Sequence, residues 1–239
     1  MIGFSTLRVP NAGRAGILAG VILAVAIDPL VAAASTEQQQ LVDKAKLTVE
    51  AFASDPAQKD DIRQSLKDAK AVFIVPQLFR GAFLFGGTGG GGVLLARDEK
   101  SGEWSQPVFY NMASVSFGLQ AGADTSELII VVRTQKGLEE FYSTDFKLGA
   151  EAGLSAGPVG GSTAVEGVAA DLLSFGRTRG VFAGMALNGA SVKVSDDSNE
   201  RYYGKSVRPI DVLVTKTVSN PASADLRAAV GKLVNTSSK

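Results

Sequence analysis

The sequence predicts an α+β domain: a central, mostly antiparallel, glycine-rich β-sheet core flanked by N-terminal and C-terminal helices. Three observations carry this. From Ala71 onward, apolar residues come in short or alternating runs punctuated by Gly, Pro and Asp, the pattern of strands and turns. Before Ala71 and after Asn220-Pro221 they recur instead at three- and four-residue spacing, the pattern of helices. The chain has 27 glycines in 239 residues, and its densest cluster, Gly86-Gly87-Thr88-Gly89-Gly90-Gly91-Gly92, lies between two apolar runs of the strand region.

The first 34 residues stand apart from this domain. Arg8 and Arg14 precede an apolar run from Ala15 to Ile27, and Ala32-Ala33-Ala34 supplies the small residues a signal peptidase requires. Residues 1–34 therefore read as a signal peptide and 35–239 as a single domain. A retained anchor is the rival reading, because Ala15 to Ala34 has the length of a membrane span. The arginines are not adjacent, which favours the general secretory route over the twin-arginine one.

Ser35 and Gln38 suit a capping box for a first helix with Leu41, Val42, Ala45, Val49 and Phe52 on one face. Pro56 suits the first turn of a second helix, with Ile62, Leu66 and Ala69 facing inward. On that helix Lys59, Arg63, Lys67 and Lys70 fall at spacings of four, four and three, forming one basic stripe. Asp55 can answer Lys59, and Asp60 can answer Arg63. Strands follow at Ala71–Val75, Gly81–Phe85, Gly91–Arg97, Val108–Met112, Val115–Ala123 and Leu128–Arg133. A short helix is expected from Gln135 to Tyr142, then strands at Phe146–Ala156, Leu172–Phe175 and Val181–Ala190. The acidic run Asp196 to Glu200 opens a short helix that ends near Gly204. A last helix after Pro221 buries Leu226, Val230 and Leu233.

The glycine cluster reads as a tight or irregular crossing between strands. It contains GxGxxG at Gly87, Gly89 and Gly92, but a dinucleotide fingerprint needs a helix to open there, and Val93-Leu94-Leu95 continues as a strand. Gly118 with Gly122, and Gly149 with Gly153, are four apart, which places each pair on one face of a strand. Close packing of a second layer and a groove for an acyl chain both explain such a face.

Composition excludes several chemistries. With no histidine and no cysteine there is no imidazole acid–base pair, no Cys-His or Ser-His nucleophile system and no His/Cys zinc site. Lysine plus arginine number 24 against 24 acidic residues, and loss of Arg8, Arg14 and Asp28 with the leader leaves a net charge of −1. That balance argues against a nucleic-acid partner. No residue spacing calls for a cofactor or a metal, and no catalytic residue is assigned.

Between Gly81 and Ala190 the succession GAFLFGG, GGGVLLAR, GEWSQP, FGLQAGAD, LIIVVRTQKGLEEF, LSAGPVG and FGRTRGVFAGMALNGA runs on to Arg201-Tyr202-Tyr203-Gly204. In this order the pieces resemble the SYLF-domain family of lipid-binding proteins, over roughly residues 36 to 213. The resemblance implies a non-catalytic protein that binds phospholipid or a membrane surface, or that works with another envelope protein. Bacterial members of the family are exported, which implies a periplasmic or envelope-associated location. Some eukaryotic relatives associate with actin, so a scaffolding module without direct lipid binding is the alternative. The family tends to carry basic residues where Arg177 and Arg179 stand. Two positions apart on an extended segment, they either fork around one phosphate or pair with carboxylates such as Asp171 or Glu151. The candidate lipid-binding set is thus Lys59, Arg63, Lys67, Lys70, Arg177 and Arg179, with Arg80, Arg133 and Lys136 as weaker members. The stripe on the second helix also has a plainer reading, a solvated face covering the sheet.

Overall fold

Thr36 opens the first helix in the computed structural model, which describes residues 36–82, 85–117, 122–157, 170–179 and 187–235. Its hydroxyl accepts the Gln39 amide at 3.2 Å, so the cap of α1 (Glu37–Ser54) is Thr36; Ser35 lies outside the described residues. Asp55 ends α1, and its carboxylate accepts the Ala57 amide at 3.0 Å. Pro56 consequently belongs to the turn, and α2 (Lys59–Leu66) starts three residues later than expected.

Eight strands follow: β1 (Ala71–Ala82), β2 (Phe85–Ala96), β3 (Val108–Phe117), β4 (Gly122–Val132), β5 (Asp145–Lys147), β6 (Leu154–Ala156), β7 (Leu172–Arg179) and β8 (Ser191–Val194). They form one sheet in the order β5-β8-β3-β2-β1-β4-β7-β6. Every pairing is antiparallel except β6 with β7. Helix α3 (Gln135–Glu140) precedes β5. After β8 come α4 (Asp196–Tyr203), α5 (Pro209–Leu213), a 3₁₀ turn at Pro221–Ser223 and α6 (Ala224–Asn235). The α+β class holds, with helices at both ends of a mostly antiparallel sheet. Gly204, at φ 71°, ends α4 where the sequence placed its stop.

Several boundaries differ, each for a physical reason. Ala71–Val75 and Gly81 are parts of one strand that passes through buried Pro76. The register with β2 and with β4 slips by one residue between Val75 and Phe79, a bulge that removes the need for the amide proline lacks. The glycine run is not a crossing but the middle of β2. A Cβ at Gly90 would overlap the Gln77 carbonyl oxygen in that bulge, and one at Gly92 would stand 2.7 Å from the Phe73 ring and 2.8 Å from Ile74 O. Glycine is therefore what lets β2 lie against the bulged β1. Gly149 and Gly153 sit in the turn between β5 and β6, and Gly149 has φ 78°, so they do not share a strand face. Gly122 opens β4, and Gly118 lies outside the described residues, as does most of Val181–Ala190.

The sheet is strongly curled. Eight strands laid flat would hold the two edges seven spacings apart, about 33 Å. Yet edge strands β5 and β6 are linked by residues 148–153, and a chain from Lys147 to Leu154 reaches about 25 Å at most. The curl gives the sheet an inner and an outer core. Inside, Phe73, Tyr110 and Phe141 meet with centroids 5.4–5.8 Å apart, and the Tyr110 hydroxyl donates to Phe141 O at 2.6 Å. Outside, Val42, Val49 and Phe52 of α1, Ile62 and Leu66 of α2, and Leu226, Val230 and Leu233 of α6 cover Val72, Ile74, Ile129 and Val131. Each such side chain contributes about 1.5–3 kcal/mol on burial. Asn199, fully buried on α4, accepts Phe109 N at 3.0 Å and donates to Phe109 O at 3.1 Å, completing β3 where β8 has ended. α5 has no counterpart in the sequence reading; Pro209 at its first turn and buried Val212 and Leu213 place it on the inner core.

Candidate functional site: the basic groups on the outer face

The basic stripe expected on the second helix is broken: α2 ends at Leu66, so Lys59 and Arg63 stand on the helix, while Lys67 is its C-cap and Lys70 lies in the bend before β1. At the start of α2, Lys59 is half-buried and makes no ion pair among the described residues. Arg63 is only 13% exposed in its side chain and pairs with Asp60 at 2.9 Å, the partner its spacing proposed. Asp55, proposed as the partner of Lys59, faces Arg177 instead.

Arg177 is clamped. Its Nη1 lies 2.8 Å from Glu127 Oε2 and its Nε 3.2 Å from Asp55 Oδ2, with the guanidinium carbon 5.6 Å from the centre of the Phe52 ring. Thr48 donates to the other Glu127 oxygen at 3.2 Å, and Gln58 donates to Gly176 O at 3.3 Å. One arginine thus joins β7, β4 and the α1–α2 turn. Of the two roles open to it, carboxylate pairing is the one seen, with Asp55 and Glu127 rather than Asp171 or Glu151. Asp171 accepts the Thr134 hydroxyl at 2.6 Å and Gly153 N at 2.9 Å; the Thr134 bond first, then the Gly153 amide, hold its carboxyl below the usual range. Arg179 lies opposite Thr125, two positions from Arg177 and so on the same face of β7; its side chain lies outside the described residues.

The far end of α2 is more open. Lys67 is exposed, its amine donating to neutral Gln64 at 2.9 Å. Lys70 meets Glu99 at 2.5 Å, but that carboxylate is 68% exposed. Between them reaches Arg97 of the turn after β2, whose guanidinium donates to Lys67 O and whose amide donates to Lys70 O at 2.7 Å. On the other flank of the same turn Lys216 contacts Asp98. That contact, with amide bonds from Ser101 and Lys100, holds the Asp98 carboxyl well below its ordinary range. Lys67, Lys70, Arg97, Lys100 and Lys216 therefore gather around one hairpin. Sequence reasoning missed the last three: Arg97 and Lys100 on the hairpin itself, and Lys216 more than a hundred residues further along the chain. For Lys216 the visible signal was a window: residues 201–218 carry Arg201, Lys205, Arg208 and Lys216 against Asp211 alone.

The weaker candidates hold loops or line the inner face. Lys136 donates to Glu151 O at 2.5 Å and Arg133 to Ala170 O at 3.5 Å, while Arg80 stands opposite Thr88 and Asp124 in the register. Among the described residues no group of carboxylates could hold a metal ion, and no helix is long and apolar enough to cross a membrane. The glycine run offers no helix N-terminus, so titration with NAD, ATP or GTP is expected to leave the melting temperature unchanged. A ligand at one hundred times its Kd would stabilise the fold by about 2.7 kcal/mol, and a rise of that size would overturn this reading.

The fold is thus a curled α+β sheet with helices on its outer face and a hairpin where lysine and arginine meet the carboxylates of Asp98 and Glu99. The chain belongs to the Ysc84 family, which includes the SYLF domain: the family described as "Las17-binding protein actin regulator" matches residues 113–233. It is 31% identical over 160 residues to LAS seventeen-binding protein 3 of Saccharomyces cerevisiae, covering 64% of this chain and 34% of that protein. Protein YSC84 of the same yeast is 29% identical over 167 residues, 67% of this chain and 35% of the relative. The human SH3 domain-containing YSC84-like protein 1 is 29% identical over 162 residues, covering 66% and 46%. The chain thus spans about a third to a half of the length of these relatives. The family description and the name of the first of these relatives speak of binding, and none of the names states a reaction. No solved structure matches at a significant level.

Proposed function

We propose that this chain is a non-catalytic domain of the cell envelope that binds anionic phospholipid surfaces, exported by way of residues 1–34. The observation that carries the reading is the convergence of Lys67 and Lys70 with Arg97, Lys100 and Lys216 around one hairpin. An exposed pair such as Lys70 with Glu99 is worth about 0–1 kcal/mol, so a lipid phosphate can displace the carboxylate at little cost. Lys59, at the other end of α2, is a separate cation without an ion pair among the described residues. Arg63 and Arg177 are both engaged by carboxylates. A second reading has its own support in the relatives' names: the surface meets a protein partner, as "LAS seventeen-binding" says of the yeast protein.

Sedimentation with vesicles separates the two. Residues 35–239 are expected to bind anionic vesicles and not neutral ones, and to lose affinity as salt rises, because each basic residue near the surface contributes about 1 kcal/mol, screened over about 8 Å. Lys67→Gln with Lys70→Gln should lower binding by about tenfold or more with unchanged melting. Equal, salt-insensitive binding to both vesicle types would point to an acyl groove, and no binding to either would leave the protein-partner reading.

A further inference from the structure

We infer that α5 and the turn after it form an apolar wedge that enters the interfacial layer of an anionic bilayer. The inference rests on the lipid reading above and names the residues that would insert. Pro209, Val212 and Leu213 are buried, and the last two anchor α5 to the inner core. Ile210 and Val214, four residues apart, point the other way and are 38% and 50% exposed.

The presentation is stiff. Arg208 and Asp211 cap the helix, with Arg208 N donating to Asp211 Oδ2 at 2.9 Å and its Nη2 to Oδ1 at 3.1 Å. Thr215 and Thr217 each donate a hydroxyl to Asp211 O at 3.2 Å. Lys216 then adopts φ 52°, uncommon for a residue with a side chain, and its amine reaches Asp98. That contact sets the turn against the hairpin whose other flank meets Lys67 and Lys70.

Charge decides the partner. The window of residues 201–218 carries four basic side chains and one acidic in a chain whose net charge is zero. Arg208 is paired with Asp211 and Lys216 with Asp98, which leaves Arg201 and Lys205 without an ion pair among the described residues. Two exposed aliphatic side chains with Arg208 at the start of α5, Lys205 near Asp211 and Lys216 just past Val214 match the apolar boundary and anionic headgroups of a bilayer. A protein interface would be depleted in lysine at this place.

The chain has no cysteine, so a single introduced thiol can be labelled cleanly. In the full-length chain, Ile210→Cys carrying an environment-sensitive fluorophore is expected to shift to the blue with phosphatidylglycerol vesicles and not with phosphatidylcholine vesicles. Leu47→Cys, on the exposed side of α1, should not shift. Ile210→Ser with Val214→Ser should weaken binding to the anionic vesicles on the order of tenfold while melting stays unchanged. Anionic-lipid binding that depends on Lys67 and Lys70, with no shift at position 210, would overturn the wedge and leave the lipid reading standing. No charge-dependent vesicle binding by wild type would remove both. A shift that grows with protein concentration in the absence of vesicles would identify a second copy of the chain as the occupant and overturn the proposal.

Discussion

Gly90→Val is expected to abolish the cooperative melting transition of the domain, or to lower its stability by about 4 kcal/mol or more. The added Cβ would overlap the Gln77 carbonyl oxygen and lie 3.2 Å from Leu78 Cα, and both are backbone atoms that no rotamer change can move. Relief requires β1 or β2 to shift. β1 is held on both sides, by β2 and by β4, so a shift in one strand disturbs three. Overpacking typically costs about 1–3 kcal/mol where side chains can adjust, and more where only backbone can. Gly89→Ala is the matched control one residue away. Its Cβ would meet nothing nearer than Met112 O at 3.7 Å, and alanine in a strand interior is favoured over glycine by about 0.5–1 kcal/mol. Thermal melting of the two variants decides the matter; equal behaviour would show that the bulge at Pro76 yields more easily than its two-sided pairing implies.

Arg177→Gln is expected to cost about 2 kcal/mol, and with it about 4–8 °C of melting temperature. Removing one partner of a buried pair costs about 3–5 kcal/mol, and the figure is reduced here because the Arg177 side chain is 33% exposed. Asp55 and Glu127, each 20% exposed, would then face each other without a cation. Arg177→Gln combined with Glu127→Gln should recover part of the loss, because the second change removes one of the orphaned charges. Lys67→Gln with Lys70→Gln should leave melting within about 0.5 kcal/mol, as exposed substitutions do. If Arg177→Gln instead melted like wild type while losing anionic-vesicle binding, the arginine would belong to the binding surface, and its two carboxylates would be incidental neighbours.

The class of the fold was legible because both periodicities are strong. Val42, Ala45, Val49 and Phe52 at helical spacing, and the dense aliphatic runs Val72–Val75 and Leu128–Val132, leave little room for other assignments, and all of these residues are buried. The Arg63–Asp60 pair and the stop at Gly204 were legible for the same reason: each is decided within one turn of chain. What the sequence determined by itself, then, was what composition or neighbours three or four residues away decide: the helices other than α5, the alternation of the strands, the absence of imidazole and thiol chemistry, and the Lys59–Arg63 part of the basic stripe. Tertiary structure decided the rest, because it depends on partners far apart in the chain. Gly90 reads as part of a crossing, and the reason Gly92 must be glycine stays hidden, until β1, with its bulge, is laid beside them. Arg177 meets Glu127 across fifty residues and Asp55 across more than a hundred, and no local spacing announces either. Lys67 and Lys70 join Arg97, Lys100 and Lys216 only because the turn after β2 stands between α2 and the segment following α5. A surface of charge is a property of packing, and packing is written in distances that a linear sequence does not display.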